Sequence, residues 1–327
     1  MVDSSLAIIL SYITFGGTLA GTILEIIAFS LFSYLLLKFV WRRSGMMHVV
    51  DVSPSMINYM ILELICTFFI GIYVGYVAIF WQRDSNHYNG YILFILGAFQ
   101  LSANNSKPPA VLALGLERIF CILFPFWYTD RKKYYPVVLA IIMQFIIVFL
   151  SLFVRIIPNW PQSAVTTCAS YGCMTTNASS EFHTVQRYIL SGINFIAGTV
   201  LVISIRQKLK NISSLKKRSN SLVVTTMIVT LVLDVLPHII SSLALSVFNV
   251  NAAVYIGPYT SYLSALESCI CSLIYFKTFH KRVRSNANSK VMPLHSHSNA
   301  THATGLSTKH STEPNFSTLH TDLIKVI

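Results

Sequence analysis

Charge is what this sequence has least of. Only 11% of its 327 residues are Asp, Glu, Lys or Arg, against about 25% in soluble domains. With 54% hydrophobic residues and a mean hydropathy of +0.61, the chain cannot cover a water-facing surface. Lipid is its natural solvent. Cysteine is scarce too: there are six, with no paired C-x-x-C of zinc spacing. Cys66, Cys121, Cys269 and Cys271 fall in or beside apolar runs, where Cys acts as a small hydrophobe. The polar segments hold no clustered His-Asp motif, no serine nucleophile elbow and no metal-ligand spacing. Neither an enzyme nor a metal or cofactor is therefore expected. The first residues lack a basic n-region, and no small-residue cleavage site follows a short apolar core. No cleaved signal peptide is predicted, and the first apolar run serves as its own insertion signal.

What is present is a set of long apolar runs. A spanning helix needs about 20 apolar residues. Seven candidates meet this, at about 17–40, 55–81, 94–123, 136–157, 188–205, 221–248 and 253–276. The third has a polar stretch in its middle, and the apolar character of the first begins earlier, near Leu6. The expected fold is an all-α bundle of seven transmembrane helices over residues 1–284.

The net charge of +12 would suit a nucleic-acid partner, but the cations sit in short clusters between apolar runs. Arg42 and Arg43 follow the first span, and Arg131, Lys132 and Lys133 the third. Six Lys or Arg between Arg206 and Arg218 separate the fifth and sixth, and Lys277, Lys281, Arg282 and Arg284 follow the seventh. The alternate loops carry Arg83, with Arg155 and Arg187 at helix edges. The positive-inside rule then places the N-terminus outside and the C-terminus in the cytoplasm. The basic, aromatic segment Phe276–Arg284 is expected to form a short juxtamembrane helix on the inner leaflet. Residues 285–327 are rich in Ser, Thr, His and Asn and read as a disordered cytoplasmic tail.

The third run ends Leu116-Glu117-Arg118, with Pro125 seven residues after the Arg, inside Phe124-Pro125-Phe126-Trp127-Tyr128 and before a basic run. On these residues the chain resembles the rhodopsin-like G protein-coupled receptors, and the Phe124–Tyr128 phrase is similar to the nematode serpentine chemoreceptors. The resemblance covers the seven-span body. It implies that Arg118 meets the G protein and that Glu117 restrains it at rest. An Arg at a membrane boundary is costly unless paired, which agrees. Pro237 in the sixth span matches the proline that kinks the moving helix, although a static kink is equally open. The usual Trp two residues earlier is Val235 here. Of the seventh-span Asn-Pro-x-x-Tyr pattern only Tyr275 remains, an inner-end switch by resemblance. The family's disulfide partner is missing near Leu93. Cys168 and Cys173, on the oxidising side, either bridge each other or stay free. Asn177 opens a glycosylation sequon in the same loop, whereas the sequons at Asn211, Asn299 and Asn315 fall on the cytoplasmic side.

Polar groups within the runs are the remaining signal, because the membrane interior penalises them. Gln100, Asn104, Lys107 and Arg118 share one helical face, which must look into the bundle. Gln100 and Asn104, with Asn105 beside them, are ligand-contact candidates; helix–helix hydrogen bonding suits the same amides equally. Lys107 needs a counter-charge. Aligned on Arg118 and Tyr275, it falls at the depth of Glu63 and Glu267, where the resembling family often binds sodium, so Lys107 would replace that ion. Pro108 and Pro109 follow directly and would kink the run. Glu25 and Asp234 are further intramembrane acids to which the sequence gives no partner.

The resemblance implies a chemosensory, olfactory-type receptor at the plasma membrane, in a sensory cilium, that turns small-molecule binding into heterotrimeric G protein activation. Arrestin and a receptor kinase would act on the tail. The apolar outer half predicts a small neutral or weakly polar ligand. A transporter with broken helices and a seven-span ligand-gated channel remain the alternatives.

Overall fold

The computed structural model describes residues 4–44, 52–82, 88–126, 128, 134–168, 170–175, 177–208, 214–248 and 258–289. Of the tail expected to be disordered from residue 285, residues 285–289 are helical and the rest lies outside the described residues. Met1–Arg284 form one compact unit and Ser285–Ile327 a second.

The chain is nearly all helix: α1 (Ser4–Ser44), α2 (Pro54–Ile79), α3 (Gly90–Asn105), α4 (Lys107–Leu123), α5 (Tyr135–Asn159), α6 (Asn177–Lys208), α7 (Ser214–Thr230), α8 (Leu236–Phe248) and α9 (Tyr259–Ser289). A π-helical turn at Leu231–Val235 joins α7 to α8. Counting α3–α4 and α7–α8 as one pass each, the helices make the seven passes of a transmembrane bundle. Five stretches are each long and apolar enough to cross a bilayer: Ile9–Phe39, Pro54–Ile79, Tyr135–Asn159, Thr184–Lys208 and Asn220–Leu243. The third pass misses that measure because it is broken into helices of 16 and 17 residues. The seventh misses it because it is polar, with Ser261, Ser264, Ser268 and Ser272 all buried.

α5 shows what solvent this polarity suits. Leu139, Ile142, Phe145, Phe149 and Phe153 form a stripe that faces outward, while Gln144, Ser151, Arg155 and Asn159 face inward. A helix apolar outside and polar inside is stable only where lipid surrounds it. Helices approach closely at small residues. A Cβ on Gly17 would meet the Tyr262 ring at 2.5 Å, and one on Gly115 would meet Met227 at 3.0 Å.

The break between α3 and α4 follows from chemistry. Pro108 and Pro109 have no N–H to continue the ladder, so they fit only in the first turn of a new helix. The carbonyls beside the break find side-chain donors. Ala103 O accepts from Ser106 Oγ at 2.6 Å and Cys66 Sγ at 3.3 Å, and Pro108 O accepts from Asn194 Nδ2 at 3.1 Å. Expected as one helix over 94–123, this pass is therefore two. α6 begins at Asn177, well before the expected start at 188, and α9 runs on to Ser289 with no separate juxtamembrane helix. Phe276 to Ser289 contains no Gly or Pro to stop it.

At one end of the bundle, β1 (Tyr88–Asn89) pairs antiparallel with β2 (Val165–Thr166), tying the loop before α3 to the loop after α5. The second loop then makes one 3-10 turn at Tyr171–Cys173. The opposite end carries Arg118 and Tyr275.

Candidate functional site

Halfway along the bundle lies a buried charge cluster. Lys107 Nζ is 3.2 Å from Glu63 Oε2 and 3.9 Å from Glu267 Oε2. Ser268 fills the space between them: its Oγ accepts from Lys107 at 3.0 Å and donates to Glu63 at 3.0 Å. Thr230 donates to Glu267 Oε1 at 2.7 Å. Passes two, three, six and seven thus meet at one ionic centre. Glu25 of α1 is buried against Gly71 and within electrostatic reach of Lys107, and neither of its oxygens makes a hydrogen bond. Among the described residues no group of three His, Cys, Asp or Glu side chains has a metal-binding arrangement.

Towards the Arg118 end, Glu117 does not pair with Arg118 among the described residues. Its Oε2 accepts the backbone N–H of Ser55, in the first turn of α2, at 3.3 Å. A helix N-terminus favours a carboxylate there. Burial first, then the Glu117 charge, pushes the Tyr128 phenol well up. Arg118 is half-buried and its Nε makes no hydrogen bond. Pro125 stands in the turn that ends α4, where Tyr128 N–H closes on Phe124 O at 3.0 Å. Tyr275 is fully buried, stacked on Tyr59 at 5.6 Å between ring centroids. Thr226 Oγ1 of α7 lies 3.5 Å from its hydroxyl.

Pro237 sits in the first turn of α8, just past the π-turn. A proline cannot donate to the carbonyl one turn back and crowds it. The wider turn relieves both, and Leu236 N–H reaches back to Leu231 O. The extra residue turns Asp234 inward. Arg187 of α6 grips it, with Nε donating to Oδ2 at 3.1 Å and Nη2 contacting Oδ1. The third nitrogen of Arg187 lies 2.7 Å from His238 Nε2. A cavity of about 370 Å³ opens beside Asp234, lined by Pro108, Asn194, Met227 and Thr230 among others.

The three candidate ligand amides are all buried. Two are engaged with neighbouring helices. Asn104 Oδ1 accepts from Ser264 at 3.1 Å, and Asn105 Nδ2 donates to Ser151 at 3.3 Å. Above them the loop closes the bundle. Cys168 and Cys173 are bridged, with Cα atoms 6.0 Å apart. Between them Tyr171 plugs the mouth. Its N–H donates to Tyr73 Oη at 2.9 Å and its ring meets Phe94 at 5.5 Å. The plug fits because residue 97 is glycine: a Cβ there would stand 2.5 Å from Tyr171. Asn177 is the first residue of α6.

The family described as serpentine type 7TM GPCR chemoreceptor Srbc matches residues 10–283. The chain belongs to that family. No curated protein matches it. The match takes in all seven passes and leaves out the tail, so the Srbc bundle is the part whose geometry bears on function. Membership makes this a multi-pass membrane receptor of chemosensory type.

Some Srbc site residues escape a reading of the sequence. Asp234 has no partner at regular helical spacing, because the π-turn shifts its register. Arg155 and Arg187, which sit at the edges of the expected spans, are both buried. The serines of α9 are within reach of such a reading: spacings of 3, 4 and 4 from Ser261 to Ser272 put them on one face.

Proposed function

We propose that this Srbc chain is a plasma-membrane chemoreceptor that converts the binding of a small molecule into activation of a heterotrimeric G protein. Its N-terminus and the disulfide loop face outward, and the Arg118 end faces the cytoplasm. The observation that carries this reading is the placement of Arg118. It is half-buried at the end of the bundle where α4, the α2 N-terminus and Tyr275 converge, and its Nε makes no hydrogen bond. A guanidinium held in such a position is ready to receive an acceptor from a cytoplasmic partner.

The mechanism is a shift between two bundle arrangements. At rest, Thr226–Tyr275 and Thr230–Glu267 hold the sixth pass against the seventh. Outward movement of α7, hinged at the π-turn and Pro237, breaks both contacts and opens the cleft around Arg118. Ligand enters from the other end, near Gln100, with Asn104 and Asn105 tying the helices behind it. Arrestin and a receptor kinase would act through residues 285–327.

The test is G protein activation in cells that express the chain with a panel of Gα subunits, exposed to a library of volatile and water-soluble odorants. Arg118→Ala should abolish the response, at least tenfold, at unchanged surface level. A response of wild-type size in that variant would refute the coupling role.

A further inference from the structure

Arg155 is a guanidinium of α5, only 2% exposed, and no carboxylate among the described residues pairs with it. Its Nε and Nη2 make no hydrogen bond of normal geometry. These two nitrogens form one edge of the guanidinium, where two N–H bonds point the same way. Arg187 shows what that edge holds. Its own Nε and Nη2 take the two oxygens of Asp234. A buried cation without a counter-charge is costly, and an ordinary core position would have been given an apolar residue. The Arg187 charge lies near enough to repel Arg155, which raises that cost.

The surroundings are aromatic. Arg155 lies under the Tyr171 ring, 6.0 Å from its centroid, and the buried Tyr171 hydroxyl is a neutral partner that leaves the charge of the guanidinium uncompensated. Phe94 stands between Tyr171 and Trp160, at 5.5 and 5.9 Å, and gives an apolar wall. The depth also fits. Asn105 and Ser151 are bonded across α3 and α5, which run antiparallel. From that bond Arg155 is four residues towards the loop end and Gln100 five, so at 1.5 Å per residue they stand about 6 and about 7.5 Å above it.

We propose that the ligand of this receptor is a small organic acid whose carboxylate is gripped side-on by Arg155 Nε and Nη2 beneath Tyr171. This rests on the receptor reading above and sharpens it, since composition alone points to a neutral ligand. Two parallel N–H donors match the two oxygens of a carboxylate, whereas a spherical halide uses the fork poorly. One guanidinium and one phenol suit a single negative charge with an apolar body against the aromatic wall.

The experiment uses the purified full chain in detergent and its thermal unfolding midpoint, which needs no G protein. The probes are straight-chain, branched and aromatic monocarboxylic acids, each beside its own methyl ester, with sodium chloride and inorganic phosphate as anion controls. At least one acid should stabilise the wild type where its ester does not. Arg155→Gln and Arg155→Lys should weaken that acid by about 30-fold or more, the loss expected for a buried charge-assisted pair. Gln100→Ala should weaken it less. The inference fails if no acid in the panel outperforms its ester, if chloride or phosphate stabilises as well as the best acid, or if that acid acts equally on Arg155→Gln. Because Arg155→Lys keeps the charge and loses the fork, it serves even where the glutamine variant folds poorly. Acid binding that depends on Arg155 but triggers no Gα would overturn the coupling reading and leave this one standing.

Discussion

Lys107 sits where a side chain with a full charge has no water to turn to. Ser268 Oγ at 3.0 Å and Glu63 at 3.2 Å take the ammonium directly, and Glu267, 3.9 Å away, adds a second negative charge. Such a centre adds little net stability, because the desolvation of each ion offsets most of the attraction. Breaking it is another matter. Removing one partner of a buried pair costs about 3–5 kcal/mol, since the remaining charges stay buried and uncompensated. Lys107→Met should therefore lower the unfolding midpoint and the surface level sharply, and Lys107→Met with Glu63→Gln should recover part of both. A single variant as stable as the wild type would show that the cluster is incidental. Glu25 sharpens the point: three carboxyl groups share one ammonium, so the cluster cannot absorb the loss of its cation.

Thr230 and Thr226 of α7 tie the sixth pass to the seventh near the charge cluster and Tyr275. The first is a 2.7 Å hydrogen bond to a carboxylate and the second a 3.5 Å contact between hydroxyls. A hydrogen bond to a charged group contributes about 1.5–3 kcal/mol. Under the proposed mechanism that energy favours the resting bundle, so Thr230→Val should raise basal G protein activation several-fold. Thr226→Val should raise it less. Equal effects, or reduced basal activity in both, would place the latch elsewhere. The elements also show what a sequence can and cannot reveal. Gln100, Asn104 and Lys107 share a face by spacing, and all three are buried on the two sides of the break at Ser106. The turn at Leu231–Val235 is not legible: a π-turn uses the same residue types as an α-turn, and what selects it is the proline beyond and the fit of Asp234 to Arg187. Hydropathy misplaces Arg187 for a related reason. It puts the residue at a span edge, yet α6 begins at Asn177, about three turns earlier. Hydropathy marks where lipid begins and says nothing of helix that continues into polar sequence.

For the whole molecule the governing fact is an asymmetry of charge across an odd number of passes. Arg42–Arg43, Arg131–Lys133, Arg206–Arg218 and Lys277–Arg284 follow the first, third, fifth and seventh passes in the sequence. Moving such clusters across a bilayer is opposed by the positive-inside bias, and each would add to the penalty. Seven passes then oblige the two termini to lie on opposite sides. An epitope placed before Met1 should accordingly stain in intact cells, and one placed after Ile327 only after permeabilisation. Asn177 supplies an independent reading of the same geometry, because only a sequon that enters the secretory lumen acquires a glycan. Glycosidase treatment should shift the wild-type band, Asn177→Gln should abolish the shift, and Asn211→Gln, Asn299→Gln and Asn315→Gln should leave it intact. The reversed staining pattern, with the N-terminal epitope protected and a glycan on Asn299 or Asn315, would put Arg118 outside the cell. No G protein could then reach it, and a seven-span channel with its N-terminus inside would become the better account of the same helices.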